Sequence, residues 1–270
     1  MASLSLPVFS ILSGLVAEHA GLQFDVSRMS LFADKVGERA AEAGFDSMLD
    51  YYYFLRYDPR GAEELDALVE SLVVGETYLF RELGPLEMMV SQLLAPRVAA
   101  GARPRVWCAA SSTGEEPHTV AMLLAAHGIA QDVELVASDI SLGALQRARS
   151  GQLSRRALRQ QMPAFARSWL DETPQGFRVR PSLTQAIAWH RVNLLDDAAV
   201  AALGTFDVIL CRNVLIYFSE ATIRRVVDQL HRRLRPEGAL FVGISESLLR
   251  FGGPLVCEEH AGNFLYRRPA

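Results

Sequence analysis

Residues 105–116, RVWCAASSTGEE, decide the fold: an apolar strand runs through a turn of small residues into two carboxylates where a helix should begin. Ala109, Ala110, Ser111, Ser112 and Gly114 let a ligand approach the backbone, and the amphipathic run Val120–His127 supplies the helix. This is the layout of a nucleotide-cofactor loop. A phosphate fits it poorly. Helix N-termini attract anions, yet Glu115 and Glu116 place negative charge there and no Lys follows the glycine. A cationic ligand suits two acids better, and S-adenosylmethionine, with its sulfonium and amino group, is a candidate. The competing reading is that the two acids only stabilise the helix start.

Outward from this loop, Val133–Ser138 reads as a second strand with Asp139 at its C-terminal edge, 25 residues beyond Gly114. In doubly wound folds an acid about 20 residues after the glycine turn takes the ribose hydroxyls, because a carboxylate accepts two hydrogen bonds from a vicinal diol. Asp139 has an alternative as the N-cap of the helix carrying Leu142, Leu145 and Ala148.

From about residue 104 strands and helices alternate, the signature of an α/β sheet, with strand candidates at Val106–Ala109, Glu134–Ser138, Phe206–Leu210 and Ala239–Gly243. Leu255–Glu259 and Phe264–Arg267 flank the turn His260–Asn263 and predict a closing antiparallel hairpin. A doubly wound, mostly parallel sheet ending in a hairpin is the layout of class I S-adenosylmethionine-dependent methyltransferases. Pro163, Pro174, Gly176 and Pro181 break the alternation over about 151–188, which reads as an inserted small β-subdomain. Upstream, Val8–His19, Val26–Ala43, Phe45–Tyr57 and Glu63–Val74 carry helical apolar spacing. The expected organisation is an all-helical N-terminal domain over 1–90 and a cofactor-binding α/β domain over 91–270. The aromatic run Tyr51, Tyr52, Tyr53, Phe54 and Tyr57 is read as core and interface packing rather than a ligand-stacking surface.

A chain of 270 residues with 50% hydrophobic content has ample material for these cores, and its net charge of −4 argues against a nucleic-acid footprint. Charge is uneven along it: residues 1–74 hold 12 Asp/Glu against 5 Lys/Arg, whereas 147–191 hold nine Arg against Asp171 and Glu172. Cys108, Cys211 and Cys257 are isolated and read as reduced core thiols, and no spacing of Cys or His suggests a metal. With neither a cleavable leader nor an apolar run near the ~20 residues of a membrane span, the expectation is a soluble, cytoplasmic monomer that does not insert into membranes.

Six ordered segments now become specific: GETYLFRE (75–82), WCAASSTGEEPHTVAM (107–122), ASDIS (137–141), VNLLD (192–196), FDVILCRNVLIYF (206–218) and LRPEGALFVGISESL (234–248). Together they resemble the motifs of the CheR family of bacterial chemoreceptor methyltransferases, from about residue 70 onward; the helical region before them fits by type rather than by motif. The resemblance implies a protein-glutamate O-methyltransferase acting on the cytoplasmic helical bundle of chemoreceptors. A glutamate with pKa near 4.3 is already ionised at neutral pH and a sulfonium is a good leaving group, so neither a general base nor a metal is required. What remains is to align carboxylate, methyl carbon and sulfur.

By motif, Arg81 is the cation beside the transfer site and Tyr217 the phenol that orients the substrate carboxylate. Gly75, Thr77 and Arg81 lie on a cofactor-touching segment, and Glu116, with Glu115 its neighbour, is placed at the methionine amino end. Asp139 with Ile140 takes the ribose, Asn193 and Leu194 the adenine side, while Cys211, Arg212 and Asn213 line the cleft. Position 75 is Gly where the family commonly has Asn, and Leu79 replaces a frequent Phe. The acidic N-terminal region departs from the basic receptor-facing helix of some relatives, although Arg28, Lys35 and Arg39 fall on one helical face. The loop DETPQG (171–176) is short for a member that tethers to a receptor's terminal pentapeptide, which favours direct recognition, with Arg155, Arg156, Arg159, Arg178 and Arg180 complementing an acidic methylation region. A cofactor-binding regulatory protein and a methyltransferase with another substrate are the alternatives. The ending RRPA, directly after the last strand candidate, leaves open a longer natural protein.

Overall fold

The helical periodicity of the first 74 residues becomes four helices in the computed structural model, which describes residues 4–260 and 262–270. Helix α1 (Leu6–Ala20) carries Pro7 in its first turn, where a missing N–H costs nothing, and ends at Gly21, whose N–H donates to the Ala17 carbonyl. A 3-10 turn at Val26–Arg28 leads into α2 (Met29–Glu42); α3 (Met48–Tyr57) is capped by the Ser47 hydroxyl, which accepts from the Asp50 N–H, and α4 (Gly61–Leu72) follows. Leu12, Val16, Phe32, Val36, Tyr51 and Leu68 are buried in this unit. The approach at Gly61 is so close that a Cβ there would lie 2.3 Å from the Phe54 carbonyl oxygen.

The aromatic run divides. Tyr51 is buried, and Phe45 packs against Tyr51 and Phe54, but Tyr53 and Tyr57 are exposed and stack on each other. The basic face expected from Arg28, Lys35 and Arg39 does not form. Arg39 is tied to Glu64 and Glu42, Lys35 lies 3.5 Å from Glu38, and Arg28 precedes α2. Glu64 also accepts from the Tyr51 hydroxyl at 2.7 Å, so Arg39 serves the interior of this unit.

This helical unit extends to Val74 and includes 217–222; a second compact unit holds 75–216 and 223–270. Residues 75–90, grouped by sequence with the helical region, therefore sit in the second unit. There α5 (Leu83–Met88) runs through a π-helical stretch, Met89–Leu94, into α6 (Ala95–Ala99). The later helices are α7 (Glu115–Ala126), α8 (Leu142–Ser150), α9 (Pro181–Thr184), α10 (Asp197–Ala202) and α11 (Glu220–Arg233). The strands are β1 (Arg105–Ala109), β2 (Glu134–Asp139), β3 (Gln152–Ser154), β4 (Leu170–Thr173), β5 (Gly176–Val179), β6 (Ile187–Arg191), β7 (Phe206–Cys211), β8 (Leu234–Phe241), β9 (Val256–His260) and β10 (Asn263–Arg267).

Seven strands form one sheet in the order β6-β2-β1-β7-β8-β10-β9, parallel through β8 and closed by the antiparallel β9–β10 hairpin. Residue 261, inside the expected hairpin turn, lies outside the described residues. This is the class I methyltransferase architecture. Parallel strands covered on both faces need near-continuous apolar runs, and Val106–Ala109 and Val208–Cys211 are buried throughout. Helix α7 is covered on most sides, with Pro117 to Leu124 all buried. By contrast, α11 buries only Ile223, Val226, Val227 and Leu230 among its apolar residues, at helical spacing.

The insertion is a three-stranded antiparallel sheet, β3-β5-β4, in which Pro174 and Gln175 join β4 to β5. It ends earlier than position 188, because Ile187–Arg191 forms β6, the edge of the main sheet. Cys108 and Cys211 are buried in strands, while Cys257 on β9 is only partly buried, so the expectation of three core thiols holds for two.

Candidate functional site

Chain order reverses between β1 and β7, and the crevice beyond their C-terminal ends is where open α/β sheets bind ligands. The loop leaving β1 has the geometry its small residues suggest. Ala110 (φ 55°) and Ser112 (φ 49°) are left-handed, and so is Gly114 (φ 92°). A Cβ on Gly114 would also lie 2.8 Å from the Ala148 Cβ and 3.0 Å from Trp189, so both conformation and space require glycine. The Ser111 and Ser112 hydroxyls are buried without a protein partner.

Asp139 is buried at the end of β2, where Oδ2 accepts from the Ser112 N–H at 2.7 Å and Oδ1 from the Ser141 N–H at 2.8 Å. It is not the cap of α8: Ser141 takes that position, accepting from the Ala144 N–H. A carboxylate offers about four lone-pair sites, so it accepts from several donors at once. Ile140 follows, its carbonyl accepting from Arg191 Nε at 3.1 Å. After β6, Asn193 Oδ1 accepts from the Leu195 N–H at 2.9 Å, and Leu194 is buried.

The two acids opening α7 have different surroundings. Glu115 is buried and accepts from the Thr113 hydroxyl at 2.7 Å; burial raises its pKa against that hydrogen bond. Glu116 Oε2 accepts from Arg212 Nη1 at 2.6 Å, and burial raises its pKa although Arg212 opposes this. The Arg212 side chain is 1% exposed. Its Nη2 donates to Glu82 Oε2 at 2.8 Å and to the Arg81 carbonyl at 3.0 Å. Burial works against the Arg212 charge, but the two glutamates outweigh it and its pKa rises.

Arg212 thus ties the end of β7 to α7 and to the segment carrying Arg81. That segment is held from several sides. The Leu79 N–H donates to the Ala157 carbonyl at 2.7 Å, the Phe80 N–H to the Thr119 hydroxyl at 3.1 Å, and Gln160 Nε2 to the Phe80 carbonyl at 2.9 Å. Phe80 (φ 63°) and Glu82 (φ 48°) are both left-handed, so Arg81 projects from between two strained residues. Arg81 Nε lies 3.9 Å from Glu82 Oε1, and its guanidinium lies over Tyr78, 5.5 Å from the ring centre. A Cβ on Gly75 would lie 3.4 Å from Ser112 Oγ, so the start of this segment borders the loop after β1; Thr77, two residues on, is half-buried.

Cys211, buried at the end of β7, precedes Arg212 and the left-handed Asn213 (φ 59°). Glu246, which sequence reading passed over, anchors this turn. Its Oε2 accepts from the Asn213 and Gly243 N–H groups at 2.6 and 2.8 Å, and its Oε1 from the Ile216 N–H at 3.2 Å. Among the described residues six non-glycine positions have positive φ, and five of them, Phe80, Glu82, Ala110, Ser112 and Asn213, lie in the three segments around this crevice. Such strain collects where function holds the backbone in place. Tyr217 ends the 3-10 turn Leu215–Tyr217 and is grouped with the helical unit, where its carbonyl accepts from the Gln23 N–H at 2.8 Å.

Within the second unit, then, Gly75, Arg81, Glu116, Asp139 and Arg212 are linked through Ser112 and the Arg212 network. Glu82 and Glu246 were overlooked as site residues, although each lies inside a quoted motif, in GETYLFRE and LRPEGALFVGISESL. Of the five arginines expected to face a receptor, Arg155, Arg156 and Arg178 are exposed, Arg180 lies 3.5 Å from Asp171 and Arg159 pairs with Glu76.

The model of the CheR methyltransferase SAM-binding domain matches residues 75–257, and that of the CheR methyltransferase all-alpha domain matches 7–73. Chemotaxis protein methyltransferase 2 of Vibrio cholerae serotype O1 is 34% identical over 239 residues, covering 86% of this chain and 83% of that protein. Chemotaxis protein methyltransferase 1 of Pseudomonas aeruginosa is 28% identical over 250 residues, covering 89% and 90%. The probable biofilm formation methyltransferase WspC of Pseudomonas putida is 34% identical over 236 residues; the match covers 86% of this chain but 55% of that protein.

Proposed function

Because the chain belongs to the CheR methyltransferase family, we propose that it methylates glutamate side chains in the cytoplasmic helical bundle of chemoreceptors, as a cytoplasmic monomer. Its cofactor is S-adenosylmethionine, which when bound supplies an electrophilic methyl group on a sulfonium. The observation that carries the reading is the Arg81 segment: a cation set between two left-handed residues, tied by Arg212 to the crevice and bordering the loop after β1.

The residues suit that cofactor. The orphaned Ser111 and Ser112 hydroxyls can meet a polar ligand, Asp139 and Ile140 take the ribose, and the acid pair Glu116 and Glu115 serves the amino end. Gly75, Thr77 and Arg81 touch it from the other side, Asn193 and Leu194 flank the adenine, and Cys211, Arg212 and Asn213 wall the cleft. Arg81 draws in the acceptor carboxylate and offsets the cost of desolvating it, and the family motif gives the Tyr217 phenol the role of orienting it. No residue has to remove a proton, since a glutamate is ionised at neutral pH.

The two-residue β4–β5 connection supports recognition without pentapeptide tethering. Exposed Arg155, Arg156 and Arg178 then steer an acidic bundle. The test is transfer of label from S-adenosylmethionine to chemoreceptor cytoplasmic domains with and without their last five residues. Wild type should label both forms equally; Arg81→Ala should bind cofactor yet lose transfer, and Tyr217→Phe should slow turnover while keeping the fold. Labelling that requires the last five residues would refute direct recognition. Failure to label any receptor domain would refute the substrate.

A further inference from the structure

Arg81 has a carboxylate on either side of it in sequence, and a second arginine holds each one. Glu82 is bound by Arg212. Glu76 is bound by Arg159, whose Nη1 donates to Glu76 Oε1 at 2.8 Å and whose guanidinium carbon lies 4.6 Å from the centre of the Tyr78 ring. Arg81 addresses the same residues, with its guanidinium carbon 5.5 Å from that ring centre and its Nη1 3.4 Å from the Glu76 carbonyl oxygen. Tyr78 therefore contacts both guanidinium groups. The Glu76 carboxyl is held below its ordinary pKa first by the hydrogen bond from Arg159, then by the Arg159 charge, with Arg81 also contributing, so it feels both cations. The two segments are joined as well, by the Leu79 N–H donating to the Ala157 carbonyl and by the Gln160 side-chain amide donating to the Phe80 carbonyl.

We propose that Arg159 is a positioning residue: by holding the Glu76 carboxylate it keeps that anion from pairing with Arg81, which leaves the Arg81 guanidinium to an incoming glutamate carboxylate. This rests on the reading of Arg81 given above. The physical case is competition. A carboxylate tethered five residues from Arg81 acts at an effective concentration in the millimolar range, well placed to displace a receptor glutamate. Arg159 and Glu76 side chains are 45% and 61% exposed, so the competing pair would have the modest strength of an exposed ion pair, worth about two- to fivefold in rate. Arg159 is accordingly removed from the receptor-steering set.

The experiment compares Arg159→Ala, Arg159→Lys, Glu76→Gln, the Arg159→Ala/Glu76→Gln double variant and Arg81→Ala. Initial rates are measured with labelled S-adenosylmethionine and a chemoreceptor cytoplasmic domain that wild type methylates; calorimetry measures binding of the demethylated product. Arg159→Ala should lower kcat/KM for the receptor by about two- to fivefold and leave product affinity within about twofold. The double variant should return to the rate of Glu76→Gln, and Arg159→Lys should stay close to wild type because an ammonium still holds Glu76. A double variant as slow as Arg159→Ala would overturn the proposal and make Arg159 a receptor contact or a structural strut. So would an Arg159→Ala enzyme of wild-type rate. Arg81→Ala separates the two levels: wild-type transfer there removes the role of Arg81 itself, whereas its loss beside an unaffected Arg159→Ala removes only the inference about Arg159.

Discussion

Arg212→Met is the most informative perturbation of the crevice, because it keeps side-chain length and removes the one charge that three segments share. The Arg212 side chain is 1% exposed and binds Glu116, Glu82 and the Arg81 carbonyl. Methionine leaves two glutamates near each other with no cation between them. Removing one partner of a buried ionic group costs about 3–5 kcal/mol, a large part of the roughly 5–15 kcal/mol by which domains are stable. With a urea slope of roughly 2–3 kcal/mol/M, the midpoint should fall by about 1–2.5 M. Trp107, Trp169 and Trp189 all lie in the second unit, so tryptophan fluorescence follows that unit alone.

The deficit should depend on pH with a definite sign. Burial already raises the Glu116 pKa against the pull of Arg212, and without Arg212 it rises further. A carboxyl whose folded pKa exceeds its unfolded value keeps full stability below the unfolded pKa, near 4.3, and loses it as pH rises through the folded pKa. The variant should therefore be most impaired at alkaline pH and recover as pH falls toward the unfolded carboxyl value, and adding Glu116→Gln should recover part of the loss at neutral pH. A loss below about 1 kcal/mol at pH 7, or one equal at both ends of that range, would show that the network does not carry the buried charge described here.

Asp139→Ala should weaken binding of the demethylated cofactor product by about 10- to 150-fold, from charge-assisted hydrogen bonds of about 1.5–3 kcal/mol; unchanged affinity by calorimetry would remove Asp139 from the ribose. Gly61→Ala should destabilise the helical unit by about 1–3 kcal/mol, because its Cβ would sit 2.3 Å from the Phe54 carbonyl oxygen, and a far-ultraviolet melt should show this while the tryptophan transition stays put. His118 is fully buried with both ring nitrogens unpartnered, and burial pushes its pKa down to about 4. The unfolded state then binds the extra proton between about pH 6.5 and 4, so stability should fall by about 3 kcal/mol as pH drops through that window, and His118→Leu should be less pH-dependent there by denaturant titration.

What the sequence showed depended on how local the physics was. β1 and β7 were legible because strands buried on both faces need unbroken apolar runs; β6, IAWHR, was not, because an edge strand with exposed residues has no such run. The helical signal continues past residue 74 into Leu83–Ala99, and periodicity alone does not say which core a helix joins, so the unit boundary at Val74 was hidden. The left-handed turn at Gly114 and the acid at Asp139 were readable from spacing. The assignment of Ser141 rather than Asp139 as the cap of α8 was not, since both precede the helix within four residues.

Charge was the least legible property, because a side chain's role depends on its partner. Read linearly, Arg39 belongs to a basic face and Arg159 to a receptor-steering patch, and each acid near the loop is a candidate ligand. In three dimensions Arg39 neutralises Glu64 inside the helical unit, Arg159 holds Glu76, and Arg212 holds both Glu82 and Glu116. The pattern has a chemical consequence. A methyl acceptor that is itself a glutamate would meet competition from every uncompensated carboxylate near Arg81, so a site built to attract one carboxylate must first neutralise its own. If the acceptor is a glutamate, as proposed, the pairing of Glu76 with Arg159 and of Glu82 and Glu116 with Arg212 meets that requirement beside Arg81.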